Sequence, residues 1–203
     1  MADELVLTLP DGSERTVPTG TTPRAVAESI GPRLAKAALA AKLNGAIVDL
    51  ARPLTESGAF QILTERDAEA LYCLRHSAAH VLATAVRRVW PDAGIGFGPP
   101  IEDGFYYDFA VPRPFTPEDL ERVEAEMREV VKADYPFVRE EVGRAEAEQR
   151  FAGDPFKLER LGEIGADETI SVYSDGPFVD LCRGPHVPST GRIPHFKLLH
   201  AAG

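Results

Sequence analysis

The spacing of apolar positions changes several times between residues 5 and 63, and each change marks an element. Leu5, Leu7 and Leu9 alternate with Val6, Thr8 and Pro10, the period of a strand. Asp11-Gly12 signals a tight turn, and residues 14–17 return as a second strand. Thr21 or Thr22 can cap a helix with Pro23 at its first position. That helix runs through Ala25-Val26-Ala27 to Ile30 and stops at Gly31. Residues 38–43 and 46–50 flank Asn44-Gly45, the strongest hairpin signal in the chain, and residues 60–63 supply a closing strand. The order ββαβββ predicts a β-grasp module.

From residue 67 the period becomes helical. Asp67 is placed to cap a long helix with Leu71, Leu74, Ala78, Val81, Leu82, Ala85 and Val89 as its apolar stripe, and Pro91 ends it after Trp90. GIGFGPP and GFYYDFAV follow as strands punctuated by glycine. Thr116 caps a second helix to about Asp134, whose seven acids and three bases predict a solvated face. A third helical stretch covers 144–151, and Lys157 falls in a loop or short helix after Asp154-Pro155. Strands are expected at 169–173, 178–182 and 195–199. The second part is therefore α+β.

Composition narrows the class. A chain of 203 residues, 44% hydrophobic and 27% charged, is globular and long enough for one large or two small domains. No apolar run approaches the roughly 20 residues that span a bilayer, and the acidic start has no basic region of a secretory signal. Two cysteines are too few for a disulfide framework, so a reduced, cytoplasmic setting is expected. A net charge of −10 argues against gripping nucleic acid through bulk charge. Residues 1–66 hold 8 acids and 7 bases, whereas most of the acid excess lies beyond them. We expect domains at 1–64 and 65–203. The first has no histidine or cysteine, so its deletion should leave the chemistry intact.

Two motifs carry that chemistry. His76-Ser77-Ala78-Ala79-His80 puts two imidazoles one turn apart on one helical face. Cys182-Arg183-Gly184-Pro185-His186 presents a thiol and an imidazole from a turn, since Gly-Pro excludes a regular helix. Asp180, two residues before Cys182 in an expected strand, shares its face and can hold an ammonium group. Three nitrogens and a sulfur can close a tetrahedral zinc site. They can equally position a water for attack on an ester or amide, or leave Cys182 as a nucleophile beside His186. Cys73 is expected to be a small buried hydrophobe and His195 a structural residue. His200 is expected to be exposed, and Arg183 to meet a phosphate or a neighbouring acid.

HSAAH, GFYYD at 104–108, DLCRGPH at 180–186 and HFKL at 195–198 together resemble the N-terminal half of the bacterial threonyl-tRNA synthetase family. The resemblance covers essentially the whole chain. It implies a TGS domain of ubiquitin-like β-grasp fold, followed by an editing domain of the threonyl/alanyl-tRNA synthetase type. It also implies that the aminoacylation core, with its ATP and zinc, and the anticodon-binding domain lie outside this piece, which would not aminoacylate alone. The implied activity is hydrolysis of mischarged seryl-tRNA(Thr), because one missing methyl gives only about 1–3 kcal/mol of discrimination in the synthetic site. Implied partners are the tRNA(Thr) acceptor end carrying serine and the remainder of the synthetase. No membrane is implied, and the full-length enzyme is implied to be a homodimer.

Carried over by motif, His76, Lys157 and His80 become catalytic. His76 and Lys157 polarise the attacking water and the leaving 3′-oxygen. Asp180 would hold the substrate ammonium. Cys182 and His186 would wall its side chain, with Tyr106 and Tyr107 also in the pocket. The resemblance implies a site without metal; with zinc, the ligands would be His76, His80, Cys182 and His186. Two other readings stand beside this one: a non-catalytic module docking tRNA or synthetase, and a zinc-dependent alanyl-type deacylase.

Overall fold

The computed structural model describes residues 4–202; the acidic start at 1–3 lies outside them. Two compact units emerge, dividing within one helix after Leu74. The segment Gly184–Pro188 counts with the first unit.

In the first unit, β1 (Glu4–Thr8) buries Leu5 and Leu7 while Val6 faces out, and β2 (Glu14–Pro18) returns antiparallel to it. The Thr22 hydroxyl accepts the Ala25 N–H to start α1 (Pro23–Ile30), which buries Val26 and Ala27. Pro32 then begins a second short helix, α2 (Pro32–Ala37), where the sequence pattern placed only a stop. β3 (Ala38–Leu43) and β4 (Ala46–Val48) form the hairpin, and β5 (Gly58–Thr64) closes a sheet of order β2-β1-β5-β3-β4. Only the β1–β5 pair is parallel.

At the hairpin, Asn44 (φ 49°) and Gly45 (φ 87°) adopt the left-handed conformation that its two-residue turn requires. The Asn44 side chain also clamps β5, accepting from Ala59 N and donating to Ser57 O, each at 3.1 Å. A Cβ on Gly58 would lie 1.9 Å from Asn44 Oδ1, so this crossing requires glycine. Leu5, Leu7, Val26, Leu43, Val48, Leu50, Leu54 and Phe60 form the core. Each contributes at most about 1.5–3 kcal/mol.

α3 (Ala70–Val89) starts two residues later than a cap at Asp67 indicates. The Asp67 carboxylate instead turns back to Thr64, accepting from its N–H at 2.8 Å and its hydroxyl at 3.0 Å. Leu71, expected in the apolar stripe, is 44% exposed, whereas every residue from 76 to 86 is buried. Small residues make this all-round burial feasible: Ala78, Ala79, Ala83 and Ala85 let neighbours approach on every side, so His76 and His80 are enclosed.

The glycine-rich stretch becomes two ribbons of two-residue strands. β6 (Gly94–Ile95) pairs with β9 (Phe109–Ala110), and β7 (Pro100–Ile101) pairs with β8 (Gly104–Phe105). α4 (Pro117–Ala133) begins in a full capping box between Thr116 and Asp119. Its acidic face is not wholly solvated: Asp119 and Glu124 are buried, and Glu124 accepts from Leu198 N, Lys197 and Arg128.

β10 (Phe137–Val142), which the sequence pattern did not anticipate, joins β11 (Ile170–Asp175) and β12 (Phe178–Leu181) in an antiparallel sheet of order β10-β11-β12. Between them lie α5 (Arg144–Arg150) and α6 (Pro155–Gly162). The stretch 195–199 is irregular rather than a strand, with its backbone held to α4 through Glu124.

Candidate active site

α3, α6, the Gly-rich ribbon and β12 each deliver polar side chains to one part of the second unit. The rings of His76 and His80, one helical turn apart, lie edge to face with centroids 5.4 Å apart. His76 Nε2 is 3.2 Å from Cys182 Sγ, just past the end of β12. His80 Nε2 lies 3.6 Å from Asp180 Oδ2, and its ring edges meet Phe137 and Phe178. Burial pulls the His80 pKa down to about 3, with Asp180 only partly opposing it, so this imidazole is neutral near pH 7.

Asp180 is the hub. Lys157, 5% exposed, places Nζ 2.6 Å from Asp180 Oδ1, and the Tyr107 hydroxyl donates to Oδ2 at 2.5 Å. Nζ also donates to Gly96 O at 2.7 Å and lies 3.2 Å from the Tyr107 hydroxyl. α6 makes this reach feasible: the Asp154 carboxylate accepts the Lys157 N–H, fixing the helix start that aims the side chain. Burial, then the Asp180 charge, pushes the Tyr107 pKa well up, so the phenol stays a proton donor. A Cβ on Gly98 would come within 2.1 Å of the Tyr107 ring, so glycine there makes room for it.

The sequence pattern did not reveal a second polar chain behind α3. The Thr84 hydroxyl donates to the His80 carbonyl at 3.0 Å and lies 2.7 Å from Asp175 Oδ2. Asp175 is fully buried, and burial raises its pKa well above the usual carboxylate range. In the neutral form that burial favours, the acid donates to the Thr84 hydroxyl, which in turn donates to His80 O. No sequence signal marks this arrangement, because β11 and α3 meet only in the folded chain.

The remaining candidates are placed as follows. Tyr106 is 43% exposed, whereas its neighbour Tyr107 is turned inward. Cys73 is fully buried, with its thiol pushed up to about 12 by desolvation. His195 and His200 are exposed, and Arg183 pairs with Glu168 at 2.7 Å. His186 sits on the short segment counted with the first unit. It is 1% exposed, and its N–H donates to Asp49 Oδ1 at 2.9 Å. Asp49, in the stretch AIVDL, gave no signal in the sequence. One ligand atom from each of His76, His80 and Cys182 lies within 4.8 Å of the others. These nitrogen and sulfur donors are of a type that suits zinc. Among the described residues, no helix is long and apolar enough to cross a membrane.

Residues 5–64 match the TGS domain family, and residues 170–203 match the family described as threonyl and alanyl tRNA synthetase second additional domain. The second match contains Asp180, Cys182 and His186. Threonine–tRNA ligase of Symbiobacterium thermophilum is 51% identical over 205 residues, covering 100% of this chain and 32% of that protein. Threonine–tRNA ligase 1 of Bacillus subtilis gives the same figures, and the ligase of Nitrosococcus oceani is 52% identical over 200 residues. The whole chain resembles the N-terminal region of threonine–tRNA ligases. It spans about a third of the length of these curated relatives. Its architecture is thus a TGS domain with an α+β editing-type domain.

Proposed function

We propose that this chain proofreads threonyl-tRNA synthesis, hydrolysing the ester of seryl-tRNA(Thr) and sparing threonyl-tRNA(Thr). The observation carrying this reading is the convergence of Lys157, Tyr107 and His80 on Asp180, with His76 against Cys182 alongside. Likeness to threonine–tRNA ligases supplies the substrate class. In this reading, residues 1–64 form the TGS domain and 65–203 the editing domain.

An ester has a good leaving group, so a positioned water with one or two proton carriers suffices. His76 accepts a proton from that water. The Lys157 ammonium stabilises the developing charge on the leaving 3′-oxygen, which takes up the proton carried by His76. Asp180 offers its remaining lone pairs to the substrate ammonium, with the neutral His80 ring 3.6 Å from Oδ2. Cys182 limits side-chain size so that serine enters and the extra methyl of threonine is refused. Exclusion by a full wall discriminates against the larger substrate better than a cavity discriminates against the smaller one.

The test is deacylation of seryl- and threonyl-tRNA(Thr) by the chain and its His76→Ala variant. Selective loss of serine that His76→Ala abolishes is expected. Equal hydrolysis of both esters, or hydrolysis indifferent to His76, overturns the reading.

We further propose that the site works without a metal. The buried ammonium of Lys157 favours this, since a dication beside that charge would be repelled. Zinc held by His76, His80, Cys182 and His186 is the competing reading, favoured by the spacing of the first three donors. Deacylation that survives chelation in protein free of bound zinc is expected. Stoichiometric zinc whose removal abolishes activity would establish the competing reading.

A further inference from the structure

Phe97 follows Gly96, whose carbonyl accepts Lys157 Nζ, so its backbone adjoins the polar cluster. Its side chain nevertheless leaves the core: Phe97 is 51% exposed, in a ribbon where Ile95 is buried. One helical turn beyond Lys157 on α6, the Arg160 guanidinium lies over the Phe97 ring, 5.1 Å from its centroid. Glu163 holds Arg160 through an ion pair. Phe156, on the same helix, is 41% exposed and packs at Gly94, where a Cβ would come within 2.6 Å of its ring. The helix that delivers the pocket lysine therefore also backs an exposed aromatic ring with a cation, two residues from Ile95. An exposed ring held in place this way presents a π-surface whose ordering cost is already met within the fold.

We propose that Phe97, backed by Arg160, is the platform on which the terminal nucleobase of the substrate RNA stacks. This rests on the proposed editing function, because an aminoacyl ester at Asp180 and Lys157 leaves its own nucleoside lying on the adjacent surface. Stacking suits an acidic protein. With a net charge of −10 the chain cannot draw affinity from many phosphates, whereas base-on-aromatic contact is largely independent of net charge. It also tolerates any base, so the platform would contribute affinity and register while selectivity stays with the amino-acid pocket.

Two measurements on the intact chain test this, using Phe97→Ala and Phe97→Trp. In the first, a short oligoribonucleotide ending in CCA carries 2-aminopurine in place of the terminal adenine. Its fluorescence should be quenched by the wild type and by Phe97→Trp, but not by Phe97→Ala. In the second, seryl-tRNA(Thr) deacylation by Phe97→Ala should show KM raised about tenfold with kcat nearly unchanged, and Phe97→Trp should restore it. Unaltered quenching and KM in a Phe97→Ala protein of unchanged melting temperature overturns the platform. So does a loss that Trp fails to rescue. If the wild type quenches the probe through Phe97 but hydrolyses nothing, the platform stands and the editing function fails.

Discussion

Asp175 shows how one buried side chain can support chemistry it does not touch. Its neutral carboxyl donates to Thr84, and Thr84 to the backbone of His80, which ties a turn of α3 to the end of β11. The folded pKa is raised above the unfolded one. The carboxyl therefore costs nothing below about pH 4, and its stabilising contribution is lost as pH rises through the folded value. Asp175→Asn keeps a donor for Thr84 without any ionisation. It should be more stable than the wild type at neutral pH and equal to it at acid pH. The gap should grow by about 1.4 kcal/mol per pH unit until the folded group ionises. Denaturant titrations from pH 3.5 to 8 read this directly; a gap that is constant with pH would show Asp175 to be ionised in the fold.

At the scale of elements, local signals placed most helix starts. Thr22, Thr116 and Asp154 all cap with their side chains, and each is followed by proline at the first helical turn. The capping box of α4 is the most complete, because Asp119 also pairs with Arg113. Thr116→Ala should lower stability by about 1 kcal/mol, read as a drop in melting temperature with the candidate site unaffected. The Arg113 pair and the Thr116 N–H hold the Asp119 pKa below its ordinary value. Its contribution is therefore complete above about pH 4 and fades as pH falls further. α3 was placed less well, since Asp67 is a capping residue by type but is engaged with Thr64. Strands shorter than three residues, such as β6 to β9, carry too few positions to show a period.

For the molecule as a whole, the segment carrying His186 matters most. Gly184–Pro188 counts with the first unit, and the His186 N–H is held by Asp49, far back in the sequence. A module without histidine or cysteine was expected to be dispensable. The hydrogen bond from the His186 N–H to Asp49 within that unit puts the expectation to the test. Asp49→Ala in the intact chain should lower seryl-tRNA deacylation several-fold while the first unit stays folded by circular dichroism. Residues 65–203 prepared alone should show a loss at least as large. Full activity in both would mean that His186 needs no such anchor.

The sequence by itself determined the β-grasp order, the hairpin at Asn44-Gly45, the α4 cap and the residue types of the candidate site. These are short-range properties: turn conformations, cap hydrogen bonds and motif spacings within four residues. His76 and His80 share a face by helical geometry alone, and Asp180 and Cys182 were expected together from strand periodicity. Tertiary structure decided what those groups meet. It chose Lys157 and Tyr107 as partners of Asp180, turned Tyr107 inward and Tyr106 outward, and set Asp175 behind Thr84 and Asp49 behind His186. Each of these contacts joins residues more than twenty positions apart. Local spacing cannot encode them, and only the packing of separate elements brings the partners within hydrogen-bond reach.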